Sequence, residues 1–101
     1  MTYTLALAAL GDPTRRAVFE RLREGPQGVA EIAAGLPVSR PAVSQHLKVL
    51  KTAGLVIDEP RGAARIYRIH ADGLRALRAW LDGFWDDALL RFKAHAEEDG
   101  T

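Results

Sequence analysis

Three features of this sequence predict a mainly α-helical fold of order α-α-α-α-β-β-α. Ser39 to Gly54 has the end signals and two-sided patterning of one helix. Residues 55–70 change to a strand-like alternation around Pro60-Arg61-Gly62-Ala63. A last segment, Asp72 to about Glu97, carries apolar residues at spacings of three, four and seven.

The size and composition fit one ordinary soluble globular domain: 101 residues, 48% apolar and 27% charged. The net charge of +1 hides an asymmetry. Residues 13–70 hold ten Arg/Lys against five Asp/Glu, and the remainder four against eight. A basic middle between acidic ends suits a polyanion partner facing that middle. The absence of cysteine excludes disulfides, thiolate metal sites and cysteine nucleophiles. No stretch reaches the roughly 18 apolar residues of a membrane span. The opening MTYTLALAAL lacks the basic flank of a signal peptide, so a cytoplasmic location is expected, with no membrane partner.

Residues 3–10 read as a short first helix, with Leu5, Ala6, Ala9 and Leu10 spaced for one face. Gly11 ends it, and Asp12-Pro13 supplies an N-cap and a first-turn proline for the next. That second helix runs through Arg23, with Ala17, Val18 and Leu22 inward, until Gly25-Pro26 stops it. A third covers about Val29 to Ala34, anchored by Ile32, and Gly35-Leu36-Pro37-Val38 connects it to Ser39.

The fourth helix has Ser39 as cap, Pro41 in its first turn and Gly54 just beyond its end. Ala42, Val43, Leu47, Val49 and Leu50 fall on one arc, and Arg40, Ser44, Gln45, Lys48 and Lys51 on the other. Short hydroxyls and an amide reach base edges in a major groove, while Arg and Lys take guanine or phosphate. An amphipathic surface helix would show the same pattern. The hairpin that follows weighs toward nucleic acid, because it completes a helix-turn-helix with a wing. Arg61 and Arg65 stand near its tip, where they would enter a minor groove or grip phosphates.

On the last helix Leu74, Leu77, Leu81, Phe84, Trp85, Ala88, Phe92 and Ala96 form a stripe, with Trp80 and Leu90 off it. Apolar residues on two sides of one helix imply two burial partners, the chain's own core and a second copy. The expected dimer interface comprises Leu5, Leu77, Trp80, Leu81, Phe84 and Ala88. Residues 1–11 and 71–101 thus serve pairing, and about 12–70 DNA binding.

The segments LGDPTRRAVFERL, AEIAAGLPVSRPAVSQHLKVLKTAGLV and RIYRI resemble the ArsR family of bacterial winged-helix repressors, over about residues 5–70. The resemblance implies a homodimer joined through its first and last helices, on a near-palindromic operator in double-stranded DNA. Carried over by position, Ser39, Arg40, Ser44, Gln45 and Lys48 are the recognition-helix contacts, and Arg61 and Arg65 the wing contacts. The usual output is repression relieved by an effector, which these residues do not identify.

The chain departs from the family's metal sensors. Where a Cys-x-Cys pair commonly lies, it has Glu31-Ile32-Ala33-Ala34. A second family site, carboxylate-x-His, ten residues, then His-x-x-His or Glu on the final helix, paired across the dimer, falls here on Asp82, Phe84, His95 and Glu98, and Phe84 cannot bind a metal. The expectation is a repressor or autorepressor with no metal and no cofactor. A metal-responsive repressor with a degenerate last-helix site, or a winged helix binding protein, are the alternatives.

Enzymatic chemistry is not expected. Ser44 and His46 point about 200° apart on a helix and form no nucleophile–base pair. Asp82, Asp86 and Asp87 suit a solvated face, and no phosphate-binding glycine loop is present.

Overall fold

Local end signals place the helices. The computed structural model describes residues 2–99, with side chains for 3–98. The elements are α1 (Thr2–Leu10), α2 (Pro13–Arg21), a 3-10 turn (Leu22–Glu24), α3 (Val29–Ala34), α4 (Arg40–Thr52), β1 (Val56–Arg61), β2 (Ala64–Ile69) and α5 (Ala71–Asp99). The Asp12 carboxylate accepts from the Arg15 N–H at 2.8 Å and opens α2. The second helix was expected to run to Arg23, and its last turn instead tightens into the 3-10 form before Gly25-Pro26.

The fourth helix is closed at both ends. Ser39 Oγ accepts from the Ala42 N–H at 3.2 Å. At the other end Gly54 takes a φ of +80°. Its N–H then reaches the Lys51 carbonyl, and that of Leu55 the Leu50 carbonyl, both at 3.0 Å. This is the Schellman arrangement, sealed by Leu50 and Leu55, both fully buried.

Strands β1 and β2 pair antiparallel, Val56 opposite Ile69 and Arg61 opposite Ala64. The two-residue turn is Gly62-Ala63, and only Gly62 has a positive φ, the pattern of a type II′ hairpin. Arg61 therefore ends a strand rather than sitting in the turn. A further bridge comes from Gln27, whose backbone exchanges hydrogen bonds with Tyr67 at 3.0 and 2.8 Å. It ties the loop before α3 to the wing.

The core gathers Val18, Phe19, Leu22, Ile32, Val43, Leu47, Leu50, Leu55 and Val56, with Ala6 and Ala9 of α1. On α1, Ala6 and Ala9 are buried, whereas Leu5, expected at the dimer interface, is 54% exposed.

The largest correction concerns α5. At about 1.5 Å per residue its 29 residues run on the order of 44 Å, well beyond the core. Its stripe packs on the chain's own core only through Leu74 and Leu77. From Leu81 to Glu98 every described side chain is exposed. The chain measures 68 × 25 × 22 Å with a radius of gyration of 18.2 Å, against about 13 Å for a compact 100-residue domain. Leu77, expected at the dimer interface, is buried within its own chain and offers a partner little surface.

Candidate nucleic-acid interface

The rear of α4 is fixed by full burial of Val43, Leu47 and Leu50. With that side held, Arg40, Ser44, Gln45 and Lys48 are all exposed on its front. Leu47 and Leu50 differ by three residues and Val43 and Leu47 by four, so one helical stripe anchors the whole element. Ser39 has a structural duty as the N-cap, although its O–H remains able to donate.

The expected contacts divide between two grooves. Arg40 and Ser44 share one with Arg65, Tyr67 and the start of α3. Gln45 and Lys48 line the other, against Leu5, Ala8 and Arg15, with Val49 and Thr52. The fourth helix thus lies between the wing and α1. Arg15 is held there, its Nε donating to the Ala9 carbonyl at 2.6 Å, while Arg16 donates to the Leu10 carbonyl at 2.9 Å. Together they close the C-terminus of α1.

The wing arginines differ. Arg61 is exposed at the end of β1. Arg65 is engaged: its Nε donates to Asp58 at 2.5 Å. The other Asp58 oxygen takes the Lys51 ammonium at 2.8 Å. The Asp58 side chain is only 5% exposed, while those of Lys51 and Arg65 are about half exposed. The hydrogen bond from Lys51, then that from Arg65, hold its carboxyl below the ordinary carboxylate range, and partial burial opposes them. The same pair raises the Arg65 guanidinium above its usual value. Arg65, expected as a wing contact to DNA, is thus also an ion-pair partner within the wing, with its side chain about half exposed.

Asp58 was not singled out from the sequence. It stands seven residues from both Lys51 and Arg65. That spacing becomes meaningful only once the hairpin register sets Asp58 opposite Tyr67, diagonal to Arg65.

On α1 and α5, Tyr3 stacks on Trp80 at 5.5 Å, and Trp80 meets the edge of Phe84 at 4.9 Å. Trp80 is therefore partly a contact within the chain. Leu81, Phe84, Trp85 and Ala88 border one open apolar surface on α5. Asp82 faces Arg78 at 3.8 Å. Residues 82 and 95 lie on the order of 20 Å apart along one helix, so a single chain cannot bring them to one ion. Among the described residues no three His, Asp or Glu side chains converge as a metal would require. Phe84 stands where the family's last-helix site has a histidine, which leaves three of its four positions able to donate to an ion.

A helix-turn-helix family model matches residues 10–59. Over 95 residues the chain is 56% identical to the HTH-type transcriptional regulator Rv2034 of Mycobacterium tuberculosis, covering 94% of this chain and 89% of that one. An ArsR-like transcriptional regulator from Rhodococcus sp. RHA1 superposes with a TM-score of 0.75 at 32% identity, covering 91% and 90% of the two chains. This chain belongs to the ArsR family of helix-turn-helix transcriptional regulators. It is a DNA-binding regulator, not an enzyme. A homodimeric winged helix-turn-helix domain from Mycobacterium bovis, a possible ArsR-family regulator, is similar at a TM-score of 0.68 and 26% identity, over 87% of this chain and 82% of that one. No described helix of this ArsR-family chain is long and apolar enough to cross a membrane.

Proposed function

We propose that this ArsR-family chain works as a homodimeric repressor that reads a near-palindromic operator without a metal. One observation carries the DNA-reading half: α4 is pinned by three fully buried residues while Arg40, Ser44, Gln45 and Lys48 all face out. Gln45 and Ser44 read base edges, Lys48 and Arg40 fix the helix on phosphate or guanine, and Arg61 grips the backbone beside it. Ser39 caps the helix and donates to a phosphate. Arg65 contributes mainly through the wing's shape.

Pairing is supported by the exposed apolar length of α5. Phe84 is 59% and Trp85 66% exposed, on a helix that leaves its own core. Leu5, Trp80, Leu81, Phe84 and Ala88 meet a second copy, a reading supported by the homodimeric state of the similar M. bovis domain. Two-fold pairing sets two recognition helices about 34–36 Å apart, one turn of DNA, which is why the operator is near-palindromic. A dimer seated across a promoter excludes polymerase by volume alone, which is repression.

Fluorescence anisotropy on the chain's own upstream DNA tests this reading, against a scrambled duplex, at two salt concentrations, with and without zinc. Selective, salt-steep binding that zinc leaves unchanged is expected. Selective binding abolished by zinc would overturn the metal-independent part. Equal affinity for both duplexes would overturn operator recognition there.

A further inference from the structure

We propose that Asp58 is a selectivity-setting residue: it ties the recognition helix to the wing and withholds positive charge from indiscriminate phosphate binding. The inference rests on the DNA-binding reading and deepens it. Asp58 is nearly buried and bridges two elements that both face DNA, through Lys51 of α4 and Arg65 of β2. Lys51 and Arg65 are both paired with this one carboxylate, which leaves the three side chains one net positive charge instead of two.

Two consequences follow from this arrangement. On random DNA, where affinity comes almost wholly from phosphate neutralisation, a withheld charge weakens binding. On the operator, the same bridge holds wing and helix in one fixed relation, so less is lost in ordering them on binding. Asp58 therefore lowers non-specific affinity and preserves specific affinity. Selectivity is the ratio of the two.

The test compares four proteins on a random-sequence duplex and on the operator across a salt series: wild type, Asp58→Asn, Arg65→Ala and the double variant. Circular dichroism checks that each is folded. For Asp58→Asn the slope of log K against log salt on random DNA is expected to steepen by about one unit, with affinity up by about tenfold near 0.1 M salt. Operator affinity is expected to rise less or to fall, so selectivity drops. Arg65→Ala is expected to flatten the slope strongly in the Asp58→Asn background and much less in wild type.

If Asp58→Asn leaves the slope unchanged and the Arg65 effect is equal in both backgrounds, Asp58 is only a strut of the wing and the proposal is overturned. The cycle remains decisive if Asp58→Asn is less stable, because it compares slopes among folded proteins. Wild type that binds neither duplex would overturn the DNA-binding reading itself, and the proposal with it. A flat cycle beside selective wild-type binding would overturn the proposal alone.

Discussion

The backbone of Gly73 lies against the carbonyl group of Gly54, so closely that a Cβ at Gly73 would overlap that oxygen. Gly54 closes the end of α4, and Gly73 lies in the first turn of α5. His70 reinforces the joint, its ring Nδ1 within 3.2 Å of the same carbonyl and its N–H on the Leu55 carbonyl at 2.9 Å. The helix proposed to pair two copies therefore starts directly on the end of the helix proposed to read DNA.

Gly73→Ala follows from that contact. Alanine favours helix over glycine by roughly 1 kcal/mol, and an exposed position would be stabilised. Here the obstacle is backbone, which cannot rotate aside, and overpacking of this kind costs about 1–3 kcal/mol. The melting temperature is expected to fall by about 5 °C or more at fixed protein concentration. An increase in melting temperature would mean that α5 and Gly54 do not meet this closely.

Gln45 and Lys48 should separate specificity from affinity. Gln45→Ala is expected to change which bases are preferred, read by selection from a randomised operator library. Lys48→Ala is expected to weaken all sequences alike and to lower the salt slope by about one unit. Equal losses on every sequence for both variants would remove Gln45 from base readout.

Asp58 gives the fold a defined acid response. Its folded pKa lies below the ordinary 3.8, because Lys51 and Arg65 both hydrogen-bond its charged form. A depressed folded value means stability that is fully present above the unfolded pKa and lost as pH falls through the folded one. Urea unfolding should show wild type more stable than Asp58→Asn near neutral pH. The gap should close as pH falls below about 4. A gap that stays constant into strong acid would show that the ion pairs contribute nothing.

The two tryptophans of α5 should respond differently. Trp85→Glu replaces a side chain that is 66% exposed in its own chain, and is expected to give a folded monomer by sedimentation. Leu81→Glu should do the same. Trp80→Glu breaks the stack on Tyr3 as well, so it is expected to lower thermal stability besides disrupting the pair. An intact dimer for both Trp85→Glu and Leu81→Glu would contradict pairing through this face.

Much of this was legible along the chain. Ser39, Pro41 and Gly54 are local signals acting within one helix end, so α4 begins and closes where they indicate. Most of the apolar arc of α4 was readable for the same reason, because Val43, Leu47 and Leu50 share a stripe in any helix, whereas Val49, on the same arc, is exposed. What lay beyond reach depended on how elements meet. The engagement of Arg65 by Asp58 needs the hairpin register and the approach of Lys51 from another element. The Gln27 bridge to Tyr67 joins residues forty apart and has no local signature. On α5 the periodicity marks an apolar stripe from Leu74 to Ala96. Periodicity alone does not say that the core ends near Leu77, because that depends on how many residues the other helices bring to meet it.

Hydroxyl-radical footprinting of the operator, together with the number of chains bound per duplex, tests the central claim most directly. A paired reader predicts two chains per site and two protected patches related by a dyad. Their centres should lie about 10–10.5 base pairs apart or a multiple of that. One chain per duplex with a single protected patch would contradict it.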